Sequence, residues 1–422
     1  MQHKILKENL GPQGDAMAKA VEACVHCGFC LPTCPTYVTM GEEMDSPRGR
    51  IILMKEVMEG NLDAELARPY IDHCLGCVSC VTACPSGVEY GDLLAPFRAF
   101  SEKESKRGLI ERLRRLVLMR ILPYPQRFRM AVLFGIIFRP LKGLFPAQLR
   151  AGLELLPEKL SDSTALSNFY PAMGKRRARV ALLAGCAQQV IGPNINLATI
   201  GVLNRNGVDV LVPSKQACCG ALAMHIGEEK QARAVARKNL SAFPTDIDAI
   251  VTNAAGCGSG MREYGLLFRG QEEEPEAIYL SKKTTDVSGF LHAIGFRPPE
   301  NAIELTRVVY HDACHLAHAQ KERIAPRELL SGIPNLTLLE PPEWELCCGS
   351  AGTYNIDQPD LANQLGERKA RNLLSTRPEA VVTGNIGCMT QIRKHLNLLG
   401  QDMPIYHTME LLDAAYRNTA SP

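Results

Sequence analysis

The chain reads as an α+α/β protein: a helical N-terminal domain, then an α/β unit built twice. Two observations carry that expectation. A four-cysteine pattern, C-x2-C-x2-C-x3-C-P, occupies residues 24–35 and returns at residues 74–85. Across the last two-thirds of the chain, an order of strands, helices and cysteine motifs is repeated. With 422 residues, the chain exceeds what one ordinary core fills, so several domains are expected.

Composition narrows the class. A 46% hydrophobic and 22% charged chain is typical of water-soluble globular proteins. A net charge of +2 exerts no long-range pull on polyanions, so nucleic acid is not expected as a partner. The opening stretch "MQHKILKENLGPQGD" lacks the apolar core of a signal peptide. No apolar run approaches the ~18 residues that cross a bilayer. In a reducing cytosol, 16 clustered cysteines read as metal or redox sites rather than disulfides. The expected location is cytoplasmic, peripheral at the inner face of the cytoplasmic membrane.

The N-terminal element comes first. "CVHCGFCLPTCP" supplies Cys24, Cys27, Cys30 and Cys34, and "CLGCVSCVTACP" supplies Cys74, Cys77, Cys80 and Cys84. Three thiolates on such a tight loop reach three corners of one cubane cluster, and the fourth serves the other cluster. That rule assigns Cys24, Cys27, Cys30 and Cys84 to a first 4Fe–4S cluster. Cys74, Cys77, Cys80 and Cys34 then hold a second. Zinc would leave the evenly spaced third cysteine and the closing Cys-Pro without a role. Between the motifs, Ser46 can cap a helix with Pro47 in its first turn. An insert this long suggests an α-helical ferredoxin domain over residues 1–100. Arg48 and Arg50 either pair with Glu42, Glu43 and Asp45 or reach toward a cluster.

Residues 101–175 form a basic connector. From Lys103 to Arg150 there are twelve Lys/Arg and two Glu, and Pro123, Pro125, Pro140 and Pro146 divide the stretch into short helices. Basic amphipathic segments can lie on anionic membranes or pack against protein. "MAVLFGIIF" has no polar face, which favours burial somewhere, so a protein–protein or membrane-facing role is expected rather than a plain linker.

The duplication follows. "RVALLAGCAQQ" matches "RVVYHDACHLA", "KQACCGALA" matches "WELCCGSAG", and "IDAIVTNAAGCGSGM" matches "PEAVVTGNIGCMTQI". The first module, residues 176–270, carries Cys186, Cys218, Cys219 and Cys257. A linker is expected over 271–304. The second module, residues 305–416, carries Cys314, Cys347, Cys348 and Cys388. Apolar strands at 180–183, 249–251, 308–310 and 380–382 suit a parallel sheet covered on both faces. Sites in such sheets gather at strand carboxyl ends, so each set of four cysteines can converge on one metal site. A vicinal disulfide at Cys218–Cys219 is a strained alternative. His225, His311, His315 and His318 could hydrogen-bond a cluster sulfur or a quinone oxygen; ordinary surface or cap positions are the plainer expectation. The glycines of "AAGCGSGM" miss the dinucleotide spacing and no Walker A loop occurs, so neither flavin nor NAD is expected in this chain.

These motifs resemble the iron–sulfur subunits of glycolate oxidase (glycolate dehydrogenase). The likeness rests on "ACVHCGFCLPTCPTY", "DSPRGRI", "CPSGVEY", "CCGA", "LCCGSAGTYN" and "NIGC". The order of two ferredoxin motifs and two cysteine-rich CCG domains is shared with a wider group. It includes subunits of glycerol-3-phosphate dehydrogenase, lactate-utilisation oxidases and heterodisulfide reductase. The resemblance implies an oxidoreductase subunit that is inactive alone and has no catalytic residue of its own. It implies FAD-containing glycolate oxidase subunits as partners and quinone as the electron acceptor. Further iron–sulfur clusters could occupy the CCG modules. In heterodisulfide reductase the motif ends in C-x-x-C and gives five thiolates; here Gly260 and Gln391 stand at the last position. The rival reading is a CCG protein that itself reduces a disulfide.

Overall fold

The computed structural model describes residues 3–104, 107–161 and 165–422. In the N-terminal domain, helices Gly14–Glu22, Pro47–Met58, Ala64–Asp72 and Tyr90–Glu104 enclose a core of Met17, Met54, Ile71, Leu93 and Phe97. Ser46 caps the second of these helices as expected, its Oγ accepting from Gly49 N at 3.0 Å, with Pro47 in the first turn. Both cysteine loops wind identically. His26 and Gly28 have positive φ in one, and Gly76 and Val78 at the matching positions of the other. A β-branched residue held at φ 51° is uncommon, and here the tight loop imposes it.

The connector folds as helices Leu109–Ile121, Pro125–Phe138 and Ala147–Glu154, broken where its prolines stand. Arg115 anchors it, donating from Nη1 to Glu102 Oε1 and to the Ile226 carbonyl, both at 3.0 Å. Glu154 pairs with Lys394 of the second module at 3.2 Å. Within this chain "MAVLFGIIF" is only partly covered. Val132 is buried, but Met130, Leu133, Phe134 and Ile137 face out, because the helix meets the protein along one narrow side. Leu109, Ile110 and Leu144 are each more than four-fifths exposed. Among the described residues, no helix is long and apolar enough to cross a membrane.

The two modules have the same sheet. β1 (Phe169–Tyr170), β2 (Ala178–Leu183), β3 (Val208–Leu211), β4 (Ala249–Thr252) and β5 (Thr284–Asp286) form the first, in order β1-β3-β2-β4-β5. β6 (Arg307–Tyr310), β7 (Thr337–Leu339), β8 (Ala380–Thr383) and β9 (Ile405–His407) form the second, in order β7-β6-β8-β9. All neighbours are parallel except β1, an antiparallel edge on β3. The expected linker at 271–304 contains helix Glu274–Lys283, β5 and helix Val287–Ala293, and β5 pairs with β4. Its "TTD" strand is polar and short, so apolar patterning gave no sign of it. Strand alternation divides the side chains between two layers. Val180, Leu182, Val308 and Tyr310 join one core shared by both modules, in which helices Pro193–Arg205 and Thr408–Arg417 pack together. Ala181 and Leu183 face an outer core in the first module, as does Val309 in the second.

Candidate metal centres

Cys24, Cys27, Cys30, Cys80 and Cys84 line one hollow. The crossed-loop rule assigns four of these to the first cluster and Cys80 to the second. Val25 and Phe29 on its rim are exposed. Burial pushes the Cys30 thiol up to about 11. The Cys80 thiol is driven up by burial and then by its neighbours Cys77, Cys74 and Cys34, with Cys30 of the first predicted set contributing last.

Donors surround the second set. Gly76 N lies 3.4 Å and Tyr90 Oη 3.9 Å from Cys74 Sγ, and Ser79 Oγ lies 3.5 Å from Cys77 Sγ. Arg50, 1% exposed, pairs with Asp45 at 2.9 Å and reaches Cys34 Sγ at 3.8 Å. It therefore takes both roles that the sequence left open, whereas Arg48 pairs with Glu43 and donates to the His26 carbonyl. Burial and close neighbours keep such thiols protonated on their own; a bound metal supplies the positive charge that stabilises them as thiolates. Eight thiols in two such groups, with hydrogen-bond donors aimed at the sulfurs, fit two cubane iron–sulfur clusters.

In each CCG module the cysteines converge at strand ends, where the chain turns to opposite sides of the central strand. Cys186 Sγ lies 3.4 Å from Cys218 Sγ, and the Cys218 and Cys257 thiols neighbour that of Cys219. Cys314 Sγ lies 3.8 Å from Cys347 Sγ, and the Cys348 and Cys388 sulfurs lie within 4.8 Å of each other. All sixteen cysteines are free thiols, so Cys218 and Cys219 are not a disulfide. Gly220 and Gly349 adopt φ 82° and 86°. A Cβ on Gly349 would fall 2.8 Å from the Ala362 carbonyl oxygen, so the turn that presents the paired cysteines requires glycine.

The absent fifth thiolate also has a structural cause. A Cβ at Gly260 would stand 2.5 Å from Ala221 Cβ, leaving no room for a side chain. Gln391 is buried and engaged elsewhere, donating to the Ala362 carbonyl and accepting from Asn355 Nδ2. Neither position offers a donor to its module's cysteines.

The histidines are not the surface residues that the plainer expectation made them. His311, His315 and His318 are buried. His318 bridges domains, its Nδ1 2.7 Å from Thr82 Oγ1 and its ring stacked on Trp344. The His225 and His315 rings stand 5.0 Å apart between the two modules. Burial holds His311 neutral, its imidazole pushed down to about 3. Neither of its ring nitrogens has a hydrogen-bond partner among the described residues, an omission that costs on the order of 1–3 kcal/mol per group. One of those nitrogens, Cys348 Sγ and Cys388 Sγ all lie within 4.8 Å of one another. Lys369, also buried, sits in the field of Cys348 and Cys347 and donates to the Glu343 carbonyl at 2.6 Å. Nothing in the sequence marks Lys369: it is one basic residue within the Pro359–Ser375 helix, with no local sign that it points inward.

The second ferredoxin loop and the second module meet directly. Leu75, Cys77, Cys314, Cys347 and Tyr354 share one packed cluster, and Tyr354 Oη donates to the His73 carbonyl at 2.9 Å. Helix Ala255–Arg262, which carries Cys257, packs in turn on the turn following Cys314.

Known proteins match in the same order. A 4Fe-4S dicluster domain family matches residues 20–88, and a cysteine-rich domain family matches residues 180–262 and 308–393. The glycolate oxidase iron–sulfur subunit of Escherichia coli is 38% identical over 404 residues, covering 94% of each chain. A probable glycolate oxidase iron–sulfur subunit of Bacillus subtilis is 36% identical over 422 residues, again covering 94% of each. Lactate utilization protein A of Oceanobacillus iheyensis is 27% identical over 236 residues, 56% of this chain and 96% of its own. With both cysteine patterns in place and likeness running nearly end to end, the chain belongs to the family of glycolate oxidase iron–sulfur subunits.

Proposed function

We propose that this chain conducts electrons from FAD-containing partner subunits, which oxidise glycolate to glyoxylate, toward a quinone at the membrane surface. The observation that carries the reading is the packed cluster joining Cys77 to Cys314 and Cys347. It makes the buried ferredoxin site and the second CCG site neighbours through packed side chains. Cys24, Cys27, Cys30 and Cys84 hold the outer cluster; Cys74, Cys77, Cys80 and Cys34 hold the inner one. Cys186, Cys218, Cys219 and Cys257, and Cys314, Cys347, Cys348 and Cys388, serve the two CCG sites. Iron–sulfur clusters exchange one electron at a time, which suits them to divide the pair delivered by a flavin.

The protein's own groups set the conditions of that exchange. Arg50 places a buried positive charge beside Cys34, and Tyr90 and Gly76 direct hydrogens at Cys74. The exposed rim at Val25 and Phe29 offers the outer site to a redox partner. The outward apolar side chains of the connector, set among arginines, suit an anionic membrane surface.

The test is turnover of the assembled complex. The chain purified alone under anaerobic conditions should show cluster absorbance and no glycolate oxidation. Co-purified with its flavin subunits, it should support glycolate-dependent quinone reduction, and Cys77→Ser should abolish that reduction while flavin reduction by glycolate persists. Glycolate oxidation by the isolated chain would overturn the relay.

A further inference from the structure

We propose that His311 is a ligand of an iron–sulfur centre in the second CCG module, completing a donor set with Cys314, Cys347, Cys348 and Cys388. The proposal rests on the reading that these four cysteines bind such a centre. It adds a nitrogen donor that the first module does not have.

Strand register supports the match between modules. Val180 of β2 pairs with Ala249, and Val308 of β6 pairs with Ala380. Three residues further along the chain stand Leu183, the last residue of β2, and His311, the first residue after β6. Leu183 packs in the outer core with Cys218 and Cys219. His311 turns to the corresponding side, where its nitrogen lies within 4.8 Å of the Cys348 and Cys388 sulfurs. The backbone is therefore the same and the side chain is different: an apolar group in one module, a ligand type in the other.

Three further observations converge on the same role. His311 is 1% exposed, and no described residue satisfies either of its ring nitrogens. Its backbone is fixed, since His311 N donates to the Val382 carbonyl at 2.8 Å, so the ring is held at the end of the sheet. The position that would supply a fifth thiolate, Gln391, is committed to Ala362 and Asn355. Imidazole nitrogen is an established partner of thiolate on iron in clusters, where it raises the potential relative to thiolate alone.

The experiment uses the full chain, isolated anaerobically and loaded with Mössbauer-active iron, which reads every iron whatever its spin. Five forms are compared: the native chain, His311→Leu, His311→Cys, His311→Gln and Cys388→Ser. The native spectrum should contain an iron component that is missing from His311→Leu and shifted in His311→Cys. Cys388→Ser should lose the same component, with iron content falling equally in the serine and leucine variants. Nitrogen-labelled histidine in the native chain should alter the pulsed-EPR hyperfine pattern of the paramagnetic form.

An unchanged spectrum and unchanged iron content in His311→Leu, alongside loss in Cys388→Ser, would overturn the histidine ligand while leaving the four-cysteine centre intact. Unchanged iron in Cys388→Ser would overturn the underlying reading of the module itself. Iron lost from His311→Leu but fully restored, with a native spectrum, in His311→Gln would assign the histidine a packing role and overturn the proposal. Zinc in place of iron would overturn the cluster assignment.

Discussion

The two CCG modules share a strand order, a paired-cysteine turn and a left-handed glycine, yet they differ at matched buried positions. Leu183 corresponds to His311. Gly220 meets Ala232 and Val235 as Gly349 meets Ala362 and Leu365, and the same spacing places Asn239 opposite Lys369. Asp286 at the end of β5 corresponds to His407 at the end of β9, each capping the helix that follows. The first module surrounds its cysteines with apolar and neutral groups, whereas the second supplies an imidazole and a buried ammonium. Only the second has its cysteines packed in one cluster with a ferredoxin cysteine. A duplicated backbone thus carries two different electrostatic settings, and the more polar one lies beside the buried ferredoxin site.

The largest contrast expected is in the turns. Gly220→Ala forces a side chain into the left-handed region, which costs about 1–2 kcal/mol. Gly349→Ala adds a Cβ only 2.8 Å from a backbone carbonyl, against 3.2 Å at Gly220, so its loss should be clearly greater. Thermal melts of the two variants measure this; equal losses would mean that the second turn relaxes as easily as the first.

A smaller effect is expected at the buried amine. Lys369→Met removes a positive charge near Cys347 and Cys348, so any centre there should become harder to reduce, with a lower midpoint potential. Asn239→Met in the first module changes no charge and should leave potentials nearly in place. Potentiometric titration of both variants would sharpen the contrast, and equal shifts would break it.

The smallest effect concerns the two caps, and it has opposite signs. Burial pushes the Asp286 carboxyl up to about 7 from 3.8, so the folded state holds a proton that the unfolded chain has released. Its contribution to stability is present below about 4 and declines as pH rises to about 7. Burial pushes His407 down to about 4 from 6.5, so its contribution is present above about 6.5 and is lost as pH falls toward 4. Asparagine keeps the cap without titrating. Asp286→Asn should therefore steepen the rise of stability from pH 4 to 7, and His407→Asn should flatten it, as followed by denaturant midpoints across that range.

Much of this was legible in the chain. The two ferredoxin patterns, the Ser46–Pro47 helix start and the apolar strands are local features, written in consecutive residues at fixed spacing. The duplication was legible because its motifs recur in order. The polar strand β5 was not, since "TTD" acquires its meaning only by pairing with β4. The outward face of the Pro125–Phe138 helix was hidden too, because hydrophobicity does not say which side finds a partner.

What the sequence determined by itself was the inventory of donors and their grouping on loops, because cysteine spacing and loop reach are covalent constraints. Tertiary structure decided what surrounds those donors. It brought Cys77 against Cys314, turned Lys369 inward and placed His311 beside sulfurs from two separate segments. Those relations join residues tens to hundreds of positions apart, and only close packing of the sheets and helices can set them.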